Sequence, residues 1–139
     1  MKTSSLILAL TLVASTQIMK AEEGNSLLER QMKILAKGTR QLSQQVTDTA
    51  QQQSSVDLIE KLKKAVQDSK SIDPRMVETI PAADKAKFLT DYRGQMDMLF
   101  DAFTKIEDAV KAGNYAEAKS LLSSVNAIKR EGHKKFKQD

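Results

Sequence analysis

His133 is the only histidine among 139 residues, and the chain has no cysteine. Imidazole, thiolate and thioether are the donors that soft and borderline metal ions favour. Any iron or soft metal bound here therefore takes His133 as a ligand, and methionine sulfur is the one other soft donor on offer. Six methionines compete for that second role. Met1 and Met19 fall in an N-terminal segment that reads as removable, Met76 follows Pro74 in a connection, and Met98 lies off the apolar stripe of its helix. Met32 and Met96 are left on core-facing positions.

The same inventory excludes several kinds of chemistry. Without cysteine there is no disulfide framework, no thiolate chemistry and no C-x-x-C-H motif for covalent cofactor attachment. A lone histidine rules out the paired Glu-x-x-His motifs of di-iron carboxylate bundles. It also leaves no Ser/His/Asp arrangement, and no Gly-rich phosphate loop is present, so an enzyme is not expected.

The element that positions His133 is the last helix, beginning after Gly113. Gly113 suits the left-handed residue that ends the preceding helix, and Asn114 with Glu117 three residues later resembles a capping box. Ala118, Leu121, Leu122, Val125, Ile128 and Phe136 then recur at spacings of three and four, which gives one buried stripe. Eleven steps of about 100° from Leu122 put His133 about 20° from that residue's direction, at the border of the stripe. Taken alone, this describes either a ligand or a half-exposed histidine favoured by the helix C-terminus.

Upstream, a basic Met1-Lys2 start, an apolar run from Leu6 to Ala14 and a small residue at Ala21 describe a secretory leader over residues 1–21, with Ser15 as the alternative cleavage point. The run is too short to span a bilayer. Export to the periplasm is the expectation, leaving 22–139 as a single domain of about 118 residues. Loss of Lys2 and Lys20 lowers the net charge from +4 to +2. The cluster Lys129, Arg130, Lys134, Lys135 and Lys137 decorates a helix end, where cations are favoured, and lacks interleaved aromatics, so nucleic acid is not an expected partner.

Three further helices precede the last. Leu28, Met32, Leu35, Thr39, Leu42 and Val46 form a heptad-like seam, predicting a helix over roughly 25–47. The polar tract Thr47 to Ser55 reads as a loop. A second helix, capped at Ser54 or Ser55, carries Ile59, Leu62, Val66 and Ser69 and stops before Asp73-Pro74. Pro81 suits the first turn of a third helix bearing Leu89, Tyr92, Met96, Leu99, Phe103, Ile106 and Val110. The fold class predicted is all-α, an antiparallel up-down-up-down four-helix bundle. In that topology the start of the first helix and the end of the last share one end of the molecule, which puts Met32 and His133 in one layer. Without a cofactor the same pattern describes a periplasmic helical binding or chaperone-like protein.

Asp91-Tyr92-Arg93 through Gly113 to Arg130-Glu131-Gly132-His133-Lys134-Lys135-Phe136, together with Leu28-Glu29-Arg30-Gln31-Met32-Lys33-Ile34-Leu35, resembles the soluble cytochrome b562 family, a standard example of the up-down-up-down bundle. The resemblance implies a periplasmic, monomeric electron carrier with one noncovalent haem b per chain, serving redox partner proteins. It implies Met32 and His133 as the axial ligands, and Leu28, Leu35, Tyr92, Met96, Val125 and Lys129 as residues around the macrocycle. Three positions depart from the family pattern. Met96 stands for one of two haem-packing aromatics, Lys129 for an arginine one turn before the histidine, and Gly132 for the tyrosine just before it.

Overall fold

The computed structural model describes residues 5–137, with side chains from Glu23 onward except Asn25. Helix α1 spans Ser5–Gln45, α2 Gln52–Lys70, α3 Lys85–Lys111 and α4 Tyr115–Phe136. Short 3-10 helices occupy Thr49–Gln51 and Arg75–Thr79, and there is no strand among the described residues. The protein is an all-α four-helix bundle, as the periodicities predict. Among the described residues, no helix is long and apolar enough to cross a membrane.

The boundaries differ from expectation where local hydrogen bonding overrides composition. Backbone helix continues upstream of residue 25 to Ser5 and stops at Gln45, so α1 is longer at one end and shorter at the other than the predicted span. The side chains of the leader expected over residues 1–21 lie outside the described residues. The tract expected as loop from Thr47 to Ser55 is mostly helical, because the Asp48 carboxylate accepts from the Ala50 N–H at 3.0 Å and starts a 3-10 turn that runs into α2. Ser55 is therefore not a cap. It is buried inside α2, where its hydroxyl accepts from the Gln45 side chain at 3.2 Å. Pro81 does not enter α3: its carbonyl accepts from the Asp84 N–H at 2.9 Å, closing a turn before the helix begins at Lys85.

Between α3 and α4 the chain reverses in three residues. Gly113 has φ 76°, its N–H donates to the Val110 carbonyl at 3.1 Å, and the Asn114 N–H donates to Ala109 at 2.8 Å. That pair of bonds is a Schellman ending, which satisfies helix-end carbonyls and needs a left-handed residue at Gly113. The capping box expected at Asn114 does not form, since its side chain makes no cap hydrogen bond. The backbone reversal alone sets the entry to α4.

Sequential helices are antiparallel neighbours. α1 packs on α2, α2 on α3 and α3 on α4, whereas α1 and α4 make only slight contact among the described residues. Gly38 brings α1 close to α2: a Cβ there would stand 2.5 Å from the fully buried Leu62. Across α2 and α3, Glu107 is 5% exposed and is bonded by Lys63 at 2.6 Å and by Lys111. Burial alone would raise the Glu107 carboxyl, but the hydrogen bonds and charges of the two ammonium groups outweigh it and hold the group below the usual carboxylate range.

A carboxylate depressed in the folded state adds stability that is present above its unfolded-state pKa and is lost as pH falls through the folded one. Glu107→Gln should cost about 1.5–3 kcal/mol near neutral pH, the range for hydrogen bonds to a charged group. The cost should shrink in acid, below the ordinary carboxylate range. Urea melts of both proteins at neutral and acidic pH check this, and a pH-independent difference would mean that the charge on Glu107 contributes nothing.

Candidate haem site at the open end of the bundle

The part of α1 around Met32, the end of α2, the start of α3 and the end of α4 meet at one end of the bundle. Tyr92, 2% exposed, donates its hydroxyl to the Ser69 carbonyl at 2.8 Å and so ties α3 to α2 in this layer. Burial first, and then the charge of Asp73, push the phenol well above its ordinary pKa, with Arg93 opposing in part. It stays a neutral donor at any physiological pH. Phe136 meets the Tyr92 ring edge-on at a centroid distance of 5.5 Å and the Phe88 ring at 5.3 Å. The Gln95 side chain donates to the Ile128 carbonyl at 2.8 Å, fixing α4 on α3 just above.

These contacts settle which flank of each helix faces which neighbour. On α1, Gly38 and Gln45 face α2, and Met32 lies about 120° around the helix from Gly38. On α4, Ile128, Gly132 and Phe136 face α3, and His133 lies about 100° around from Gly132. Both donors therefore lie on the flanks that border the α1–α4 seam. The seam is open at this depth: Leu28 and Met32 are half-buried and His133 is exposed, while Leu35, Thr39, Leu42 and Val46 further along the same stripe are buried.

The electrostatics suit a neutral donor. Partial burial, and then the charges of Lys129 and Lys137, hold the His133 imidazole below its ordinary pKa, so it is unprotonated at pH 7 with a nitrogen lone pair available. Lys129 is half-buried and is itself pushed down, by burial first and by the facing Arg40 guanidinium second. Among the described residues no group of three or more His, Asp or Glu converges as a metal site. One imidazole and one thioether, on the seam-bordering flanks of α4 and α1 beside half-buried Leu28, form a donor set that fits a haem.

The other expected residues divide. Leu35, Tyr92, Met96 and Val125 belong to one contiguous core, with Met32 packed against it. Leu28 and Lys129 stay at the seam, half-buried. Met96 is 8% exposed and lines a groove of about 570 Å³ between α2 and α3, together with Val66, Lys70, Arg93 and Phe100. That groove is bordered by the ion pair of Lys70 to Asp97 at 2.6 Å and holds no imidazole, so it is not where the donors converge. The sequence reading missed Phe88 and Arg40. Phe88 stands one turn before Tyr92, a readable spacing, whereas nothing in the α1 pattern marks Arg40 as facing Lys129.

Gly132 is a departure that costs stability without a packing reason. A Cβ there would sit 3.5 Å from the Gln95 Cγ, an ordinary contact. Gly132→Ala should therefore stabilise the protein by up to about 1 kcal/mol, read as a higher midpoint in thermal or urea melts. A destabilised variant would mean that Gln95 cannot yield there.

The sequence profile of the cytochrome b562 family matches residues 27–137 of the chain, from the second turn before Met32 to the end of α4. No curated protein matches the chain.

Proposed function

Because the chain belongs to the cytochrome b562 family, and so to the haem-binding electron-transfer cytochromes, we propose that it carries one noncovalent haem b with Met32 and His133 as axial ligands. The observation that supports this most is the pairing of the only imidazole with a half-buried methionine on the two walls of the open seam. When bound, the haem supplies one-electron redox chemistry. The residues of the chain set its terms. A thioether opposite an imidazole favours the ferrous state and raises the reduction potential. Two protein ligands leave no open coordination position, which fits electron carriage and not catalysis on a small substrate. Leu28, Leu35, Tyr92 and Val125 supply the apolar wall, Met96 packs behind them in the core, and Lys129 offers an ammonium to a propionate at the rim.

In this reading the leader is removed in export and the protein works in the periplasm as a monomer, passing electrons between partner proteins and binding no nucleic acid. Absorbance spectroscopy of the purified protein with added haem provides the test. The expected result is a low-spin spectrum that saturates at one haem per chain, with haem that acidified solvent extracts. Haem at about 100 times its dissociation constant should also add roughly 2.7 kcal/mol to stability, through binding that only the folded state offers. A protein that stays colourless and melts unchanged would exclude this function.

A further inference from the structure

Charge is distributed very unevenly between the two halves of the bundle. Segments 23–45 and 115–137, which form the two walls of the seam, carry ten Lys and Arg against four acids, whereas residues 46–114 carry ten against twelve. Pairing sharpens the contrast. Six of the ten cations in 46–114 are ion-paired, on Glu107, Asp68, Asp97, Asp91 and Asp73. Of the ten on the seam helices, only Lys135 is paired among the described residues, with Glu131 at 3.6 Å. Lys33, Arg40, Arg130, Lys134 and Lys137 are exposed, and Arg40 is close enough to Lys129 to depress its ammonium. The Arg40 guanidinium and the Lys129 ammonium thus face each other across the seam.

We propose that the α1–α4 face is the docking surface for a partner protein that presents a cluster of carboxylates. Unpaired cations around the apolar seam that half-buried Leu28 borders reproduce the apolar centre and polar rim of a protein interface. A one-signed field of this kind steers an oppositely charged protein and orients it before contact. A lipid surface fits less well, because membrane adsorption needs bulky apolar side chains beside the basic ones. Exposed Leu27 and Ile34 lie about 20° and 40° around α1 from Gly38, on the α2-facing flank, and exposed Met98 is on α3. Nucleic acid would need exposed rings to stack on, and Tyr92, Phe88 and Phe136 pack on one another instead. That the docked protein exchanges electrons rests on the proposed function; the docking itself rests on charge.

The test uses the full haem-loaded chain titrated with an oligoglutamate peptide and followed by amide NMR shifts. Shifts should concentrate in 28–40 and 126–137, and binding should weaken steeply with salt. The triple variant Lys33→Glu/Arg40→Glu/Lys134→Glu should bind at least about tenfold more weakly. The matched control Lys61→Glu/Arg75→Glu/Lys105→Glu, which touches only 46–114, should bind as the parent does. Single reversals, each checked by circular dichroism, serve if the triple variant loses helicity. Equal loss in the control, or shifts spread over α2 and α3, would overturn the proposal. So would tighter binding to phosphatidylglycerol vesicles than to the peptide, lost in the same triple variant. The haem spectrum is recorded throughout: its absence with peptide binding intact would count against the haem reading alone.

Discussion

Replacing His133 with alanine should abolish low-spin haem binding and leave the bundle folded. The two halves of that outcome have separate causes. His133 is exposed and fills no part of the core, so its removal opens no cavity, and alanine has the higher helix propensity. The α4 C-terminus stays anchored by Phe136 against Tyr92 and Phe88 and by the Gln95 bond to Ile128. The ligand loss, by contrast, has no substitute, because the chain contains no second histidine and no cysteine. Circular dichroism should therefore match the parent while the low-spin absorbance bands disappear on haem titration. An unchanged low-spin spectrum would remove His133 from the site.

The second large effect separates the two core-facing methionines. Met32→Leu keeps the apolar volume and removes the sulfur, so the expected product is a haem protein with one coordination position open, high-spin or ready to bind an added ligand, and with a lower reduction potential. Met96→Leu should leave the six-coordinate spectrum nearly intact and cost at most about 1.5 kcal/mol, as a volume-conserving swap. The geometry behind the contrast is plain. Met32 is half-buried on the flank of α1 that borders the seam, whereas Met96 is buried and lines the α2–α3 groove, where no imidazole is found. Spectra and potentiometry of both variants decide the matter, and reversed outcomes would move the ligand to α3.

Much of this protein is legible in its sequence for a simple reason: four apolar stripes of period near 3.6 have one economical way to bury themselves. Val46, Leu62, Phe103 and Val125 are buried where their spacings place them, and Gly113 turns the chain as its missing Cβ allows. The scarcity of soft donors is also a property of composition alone, and it names His133 and shortens the methionine list before any fold is known. What the sequence does not determine is whatever depends on which flank of a helix meets which neighbour. Periodicity places Met32 and Met96 equally on core-facing positions; only the packing of α1 on α2 and of α3 on α4 turns one toward the open seam and sets the other on the α2–α3 groove. The boundaries at Gln52 and Lys85 were decided by hydrogen bonds of Asp48 and Pro81, local geometry that a stripe of apolar residues does not encode. The facing of Arg40 and Lys129, 89 residues apart in the chain, exists only because the bundle sets α1 and α4 on the two sides of one seam. Sequence spacing specifies the angle of a residue around its own helix, and tertiary packing alone specifies what that angle points at.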